Sequence, residues 1–319
     1  MRVEYTADGI YLPDIGLWLD PRLPVPAAWL SHAHSDHARG LHDSVIATPI
    51  TAQIYRHRWP LPPDRSQQVF TLVPNQSMDW NGATLTARQA AHILGAAQLL
   101  VEYQGERLVY TGDIKRRTPI CGWSTEPTPC DHLIIESTFG IPIYQFIEVH
   151  EAQARIANFA RECLDKGITP VFQGYGLGRG QEIAHTLALH QIPCRIHGSI
   201  AGLIPYFEAQ GYTFPQESEN GAILLTPGLE EKLPIPPSKR KSALVSGWAA
   251  LDNARARANA DVLIPYSDHA DFSELLTLIA ESNPSQVDIV HGYAEPLARI
   301  LRQRGLNARA ALVATEVQI

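Results

Sequence analysis

Ser31-His32-Ala33-His34-Ser35-Asp36-His37 gathers three imidazoles and a carboxylate into one short stretch, directly after the apolar run Ala27–Leu30. Side chains two apart on an extended segment project to the same side, so His32 and His34 can converge on one point. A change of backbone direction after Ser35, which Asp36 suits as the first turn of a following helix, would redirect Asp36 and His37 toward a neighbouring point. Imidazole and carboxylate donors in this combination suit zinc, or manganese where the shell is richer in oxygen. The competing reading is a solvated His/Asp loop. It leaves four potential ligands behind a buried strand with no purpose.

A pair of metals needs more donors than this loop supplies, and candidates sit at turns that follow strands. His92 lies among small residues (Ala90, Ala91, Gly95, Ala96, Ala97) that permit close approach to a site. Asp113 follows the apolar run 108–110, His291 ends the run 287–290, and Asp20 ends Leu17–Leu19. Taken alone, each could equally be a loop or capping residue. Asp20 reads better as a partner that orients a histidine than as a ligand. Lys115, Arg116 and Arg117 begin two residues after Asp113, near enough to the metals to hold a phosphate backbone, although such triplets are often only solvated surface. The glycine-rich stretch 174–180 precedes a helical pattern and could present backbone N–H groups and Arg179 to a phosphate. It lacks the Gly-Lys-Ser/Thr ending of a P-loop and the spacing of a dinucleotide fingerprint, so ATP and NAD readings fail. Tyr175 could stack on a base, with packing in its own domain as the stronger competing role.

The elements that position these residues fall into two rhythms. Up to about residue 140, short apolar runs separated by Gly, Pro, Asn or Asp predict strands at 10–12, 17–19, 27–30, 45–47, 69–73, 84–86, 99–103, 108–110 and 133–135, with a covering helix at 51–58. From about 148 the pattern alternates: a helix at 148–166, a strand at 170–173, a helix at 181–190 and a helical stretch near 199–210. A Pro-rich piece at 233–238 reads as a linker. Strands at 243–246, 262–265 and 287–291 follow, with helices at 271–282 and 295–305 and a terminal strand near 311–318. One discontinuous domain, residues 1–147 and 241–319, is therefore expected to carry an insertion at 148–240. The composition is that of a globular chain: 319 residues, 45% hydrophobic, 18% charged. No apolar run is long enough to span a membrane, and the N-terminal residues lack a secretory pattern. Four cysteines without a C-x-x-C pair suggest reduced thiols and a cytoplasmic protein. A net charge of −7 argues against nonspecific coating of nucleic acid while leaving room for a local basic groove.

Taken in chain order, the His-Ala-His-Ser-Asp-His loop, His92, Thr111-Gly112-Asp113 and His291 resemble the metallo-β-lactamase fold in its β-CASP nuclease branch. Further likenesses to that branch are 133–140 (LIIESTFG), 177–182 (LGRGQE), 246–248 (SGW) and 267–271 (SDHAD). The resemblance implies an αββα sandwich with an inserted α/β β-CASP cap. It implies one metal on His32, His34 and His92, a second on Asp36, His37 and His291, and Asp113 bridging them. It also makes His269 the acid that protonates the leaving oxygen and Glu136 the carboxylate that orients it. A histidine at 291 is similar to the RNA-processing members. The opening 9–21, the stretch 112–117 and the stretch 130–144 resemble the bacterial ligase-associated DNA exonucleases, which accompany an ATP-dependent DNA ligase and a helicase.

That likeness implies a zinc- or manganese-dependent phosphodiesterase, a DNA exonuclease of repair or end processing. Two divalent ions would clamp a phosphate and activate water for in-line attack, with Asp36 among the catalytic residues. An RNA-processing nuclease of the same family is the alternative. A small-molecule metallohydrolase would not require the insertion, His269 or the Glu136 segment, and a metal-free scaffold relative would be expected to have lost ligands.

Overall fold

The computed structural model describes residues 1–311 apart from 252 and 255–257. The terminal strand expected near 311–318 falls, beyond residue 311, outside the described residues. The chain divides into two compact units: Met1–Thr118, Gly122–Pro142 and the chain from His269 form the first, Pro119–Cys121 and Ile143–Asp268 the second. The breaks thus fall at 142/143 and 268/269 rather than at 147/148 and 240/241. The Pro-rich piece is not a seam, because the strand after it, Arg240–Val245, pairs along its whole length within the second unit's sheet.

The first unit is built on two facing sheets. One holds β1 (Glu4–Thr6), β2 (Gly9–Leu12), β3 (Leu17–Leu19), β4 (Ala27–Leu30), β5 (Ser44–Ala47) and β6 (Gln68–Thr71) in sequence order. The other has the order β18-β17-β11-β10-β9-β8-β7, with β7 Ser77–Trp80, β8 Ala83–Gln89, β9 Ala97–Tyr103, β10 Glu106–Tyr110, β11 His132–Glu136, β17 Gln286–Val290 and β18 Ala308–Ala310. Strand alternation explains the layering. Ala27 and Trp29 of β4 join Leu85, Leu99 and Leu108 of the opposite sheet in the central core. Ala28 and Leu30, one residue out of phase, pack with Ala52 and Tyr55 of α1 (Pro49–Arg58). On the far sheet α7 (Ala294–Gln303) packs against β17 and β18, and α6 (Phe272–Ser282) precedes β17. The result is the expected αββα sandwich.

A polar clamp ties the two sheets at one end. Asp288 of β17 is fully buried and accepts from Tyr5 of β1 (2.5 Å) and from Arg309 Nε and Nη2 of β18 (2.7 and 2.8 Å), with His132 Nε2 of β11 at 2.9 Å. Burial opposes ionisation, yet hydrogen bonds from His132, Arg309, Tyr5 and Gln286 hold the Asp288 carboxyl well below the usual range. A depressed folded-state pKa contributes stability above the ordinary carboxylate value, about 3.9, and loses it as the pH falls from there toward the folded pKa. Asp288→Ala should therefore lower unfolding stability near pH 7 by roughly 2–4 kcal/mol, since several donors lose one buried acceptor. The gap should narrow below about pH 4. Urea denaturation at both pH values checks this; equal stabilities at pH 7 would show that the clamp contributes nothing.

The second unit has a wholly parallel sheet of order β13-β14-β12-β15-β16, with β12 Thr169–Gln173, β13 Cys194–Ile196, β14 Ala222–Leu225, β15 Arg240–Val245 and β16 Val262–Ile264. α2 (Val149–Asp165) and α3 (Arg179–Leu189) cover one face through Ile156, Phe159, Ile183 and Leu187 against Phe172 and Val245. The other face buries Val171, Ile223 and Leu225 beneath Leu229, Leu233 and Ile235, so part of the expected linker is a packed lid on this sheet. The helical stretch predicted near 199–210 is two short helices, α4 (Gly198–Ala201) and α5 (Ile204–Glu208). All four cysteines are buried free thiols.

Candidate metal centre

Four loops of the first unit's sandwich, after β4, β8, β10 and β17, deliver the candidate ligands. After β4 the chain makes a single hydrogen-bonded turn, in which the N–H groups of His37 and Ala38 donate to the His34 carbonyl (3.2 and 2.8 Å). No helix follows it, contrary to the expectation for Asp36; α1 begins only at Pro49. That helix still serves the loop, because Arg58 in its last turn donates to the Ala33 carbonyl at 2.5 Å. Its first turn pins the His92 loop, with Thr48 and Thr51 hydroxyls donating to the Gly95 carbonyl (2.6 and 2.9 Å). Asp113 leaves β10 through Gly112, whose φ is +55° and whose absent Cβ would lie 2.5 Å from Ser31 Cβ. Only glycine fits that crossing of the two loops.

The donors meet in a compact group. His34 Nδ1 lies 3.1 Å from His32 Nε2 and 3.0 Å from His92 Nε2, while Asp113 Oδ2 is 3.5 Å from both His32 Nε2 and His92 Nε2. A tetrahedron with bonds of about 2.0–2.1 Å has edges of about 3.3–3.4 Å, so these residues fit one zinc-sized ion. Burial, together with neighbouring imidazoles, pushes the His32 pKa well below its usual value, favouring the neutral form that binds metal. Burial likewise pushes the Asp113 carboxyl up to about 6 against the pull of His37 and His269.

The second expected set is gathered more loosely. His37 Nε2 is 3.4 Å from Asp113 Oδ2 and 3.8 Å from Asp36 Oδ2, and the His37 and His291 rings are 5.5 Å apart. The Asp36 side chain is 76% exposed, so it stands at the mouth of the site. His291 adopts φ +60°, a costly conformation for a non-glycine residue. It is held there by Ser137, whose hydroxyl donates to the His291 carbonyl at 2.5 Å.

Asp20 lies behind the ligands, with its Oδ2 2.8 Å from His37 Nδ1. It also accepts from the Ser31 hydroxyl (2.5 Å), the Ser31 N–H (2.7 Å) and Tyr110 (2.8 Å), and Ser31 Oγ is 2.9 Å from His32 Nδ1. One carboxylate therefore braces His37 directly and His32 through Ser31. Burial opposes a charge on His37, but Asp113, Asp20 and Asp36 hold its pKa well above the usual value. Residue type alone does not mark Ser31 or Tyr110 as part of the site. Their signal was position, since Ser31 adjoins His32 and Tyr110 ends the strand before Asp113.

His269 faces the same group. Its Nδ1 is 3.0 Å from both oxygens of Glu136, and its Nε2 is 3.9 Å from Asp113 Oδ2. Glu136 is fully buried and also accepts from the Ile114 and Thr138 N–H groups (2.7 and 3.2 Å). Burial would raise its pKa, but His269 and these bonds hold it below the ordinary value. Imidazole Nδ1 is thus committed to a carboxylate while Nε2 points at the site.

The basic residues are placed differently from the sequence expectation. Lys115 is only 1% exposed, Arg116 pairs with Glu281 (2.6 Å), and Arg117 binds Asp271 and Glu274 (the latter at 2.9 Å). The two arginines are therefore paired with carboxylates of α6 and of the residue that caps it, and Lys115 is buried; only Arg116 of the three is substantially exposed. Arg117 braces the capping box at the start of α6, two residues beyond His269. Arg179 is likewise buried, paired with Glu182, 3.5 Å from Asp268, and stacked 4.1 Å over Tyr266. It braces its own unit instead of presenting an exposed phosphate contact.

No protein-family model matches the chain. It is 35% identical over 317 residues to the "Probable DNA ligase" of Opitutus terrae, covering 95% of this chain and 30% of that protein. It is 24% identical over 304 residues to cleavage and polyadenylation specificity factor subunit 3 of Dictyostelium discoideum, covering 74% of this chain and 39% of that one. Identity to Endoribonuclease YSH1 of Candida glabrata is 24% over 322 residues, covering 79% and 41%. The chain thus spans well under half the length of these relatives. Among solved structures, a protein of unknown function from Enterococcus faecalis V583 superposes with a TM-score of 0.57 at 15% identity, over 83% of this chain and 75% of that one, a likeness of fold alone. The αββα sandwich, the ordered motifs and these relatives agree in making the chain similar to the β-CASP nucleases of the metallo-β-lactamase fold.

Proposed function

We propose that this chain is a metal-dependent nuclease acting on DNA, an exonuclease of repair or end processing. The observation that carries the reading is the convergence of a four-donor group with a carboxylate-bound histidine, His269, in one site. His32, His34, His92 and Asp113 would hold one divalent ion, and Asp36, His37, His291 and Asp113 a second, zinc being preferred and manganese the substitute. Ions bound there supply Lewis acidity at a phosphoryl oxygen and make water nucleophilic near neutral pH. The chain's own groups do the rest. Asp20 and Ser31 fix the ring planes of His37 and His32, so the donors need little reorganisation. Glu136 holds His269 by Nδ1 and leaves Nε2 to give a proton to the leaving ribose oxygen.

The DNA reading is supported by the relative named a probable DNA ligase, which matches nearly all of this chain; a DNA ligase is accordingly the proposed partner. An RNA substrate is the second reading, favoured by the relatives named for endoribonuclease and polyadenylation roles and by the histidine at 291. End-labelled DNA and RNA of one sequence, single- and double-stranded, separate the two. Stepwise, metal-dependent shortening that is faster on DNA is expected. Faster cleavage of RNA would transfer the assignment to the second reading. Full turnover after complete chelation, or no hydrolysis of any phosphodiester with metal restored, would overturn the proposal.

A further inference from the structure

The second unit carries two exposed aromatic side chains that its own core does not use. Tyr175 is 48% exposed and Trp248 39%. They follow β12 and β15, which are parallel neighbours, so both leave the same edge of the sheet. From β12 the chain crosses to the β14–β13 side, while from β15 it crosses to β16 on the other. Opposed crossovers open a crevice beyond the carboxyl ends of adjacent strands, where ligands of open parallel sheets bind.

Ser246 lies beside the pair. Its Oγ accepts from the Trp248 N–H at 3.3 Å, and its side chain is near enough to the Tyr175 phenol to oppose the rise in pKa that burial causes there. The fully buried Tyr144 meets the Trp248 ring edge-on, with centroids 5.9 Å apart and planes at 89°. These contacts hold the Trp248 ring in place, and both rings stay partly open to solvent. The chain's net charge is −7, Arg116 and Arg117 are paired with carboxylates and Lys115 is buried, so phosphate neutralisation is a weak source of affinity here. Stacking is the sequence-tolerant alternative, because every base has a π face.

We infer that Tyr175 and Trp248, bracketed by Ser246, form a stacking platform for unpaired bases of a single-stranded polynucleotide. This rests on the nuclease reading for its choice of ligand. The probe is a short labelled oligothymidylate with phosphorothioate linkages, set against a strand of equal length and linkage that lacks bases, each titrated by fluorescence anisotropy onto the metal-loaded full chain. The base-bearing strand should bind on the order of 5- to 100-fold more tightly, the range expected from stacking one base. Trp248→Ala and Tyr175→Ala should each shrink that ratio, and Trp248→Phe should restore much of it; circular dichroism checks the fold of every variant. If Trp248→Ala does not fold, Tyr175→Ala and Trp248→Phe carry the comparison. Equal affinity for the two strands, or a ratio unmoved by losing either ring, would overturn the platform. Hydrolysis of bis(4-nitrophenyl) phosphate, which needs no platform, tests the nuclease reading separately: activity there with equal strand affinities would remove the platform alone.

Discussion

His269→Ala should retain its metal and its affinity for polynucleotide, yet turn over roughly 10²–10⁴-fold more slowly, the usual worth of a positioned acid. The geometry behind this is asymmetric. Glu136 takes the Nδ1 side of the ring at 3.0 Å, and Nε2 stands 3.9 Å from Asp113, against 3.5 Å for His32 and His92. The ring thus sits beside the donors without completing their tetrahedron. An ester with nitrophenolate as leaving group needs little protonation, so it should rescue His269→Ala far more than His291→Ala. The latter should also lose occupancy of one metal site, because His291 lies against His37. Glu136→Gln should fall between, as its amide keeps the hydrogen-bonding shape and loses the charge that favours a protonated ring. Metal loss from His269→Ala, or equal rescue of both histidine variants, would show that the two roles are exchanged.

Most of the sandwich was legible because it is written locally. Short apolar runs with turn residues between them mark β2 to β6 and β8 to β11, and boundaries shift by only a few residues. β1 and β7 carry no such mark, because they are largely solvent-facing and lack a clear apolar run. In the second unit the sequence pattern marks neither β13 and β14 nor the membership of β15. A Pro-rich segment looks like a linker in sequence, and only the pairing of Arg240–Val245 with β12 shows that the unit continues past it. The ligands were legible because they crowd strand ends. The charges of Arg116 and Arg117 were not, since Asp271, Glu274 and Glu281, which match them, are more than 150 residues away in the chain. A cationic triplet read in isolation shows its charge and conceals its partners.

Asp113 is where removal of a single charge should have the greatest effect on metal content. Three imidazole nitrogens, of His32, His37 and His92, lie 3.4–3.5 Å from one of its oxygens, so the carboxylate belongs to both candidate sites. Asp113→Asn keeps the shape but replaces the shared anion with a neutral, weaker donor, and both ions should then be held less tightly. Loss of an outer partner alone costs about 10–100-fold in metal affinity. Asp20→Asn, which loosens His37 and Ser31 but removes no ligand, should fall in that range. Asp113→Asn should exceed it and abolish detectable turnover, with elemental analysis after dialysis against a competing chelator giving less metal than Asp20→Asn. The ranking discriminates a shared ligand from a merely buried carboxylate, because both residues are buried and both touch His37 or its neighbours. If Asp113→Asn keeps a full complement of metal while Asp20→Asn loses it, Asp113 is not the bridge and the ligand set must be redrawn around His37.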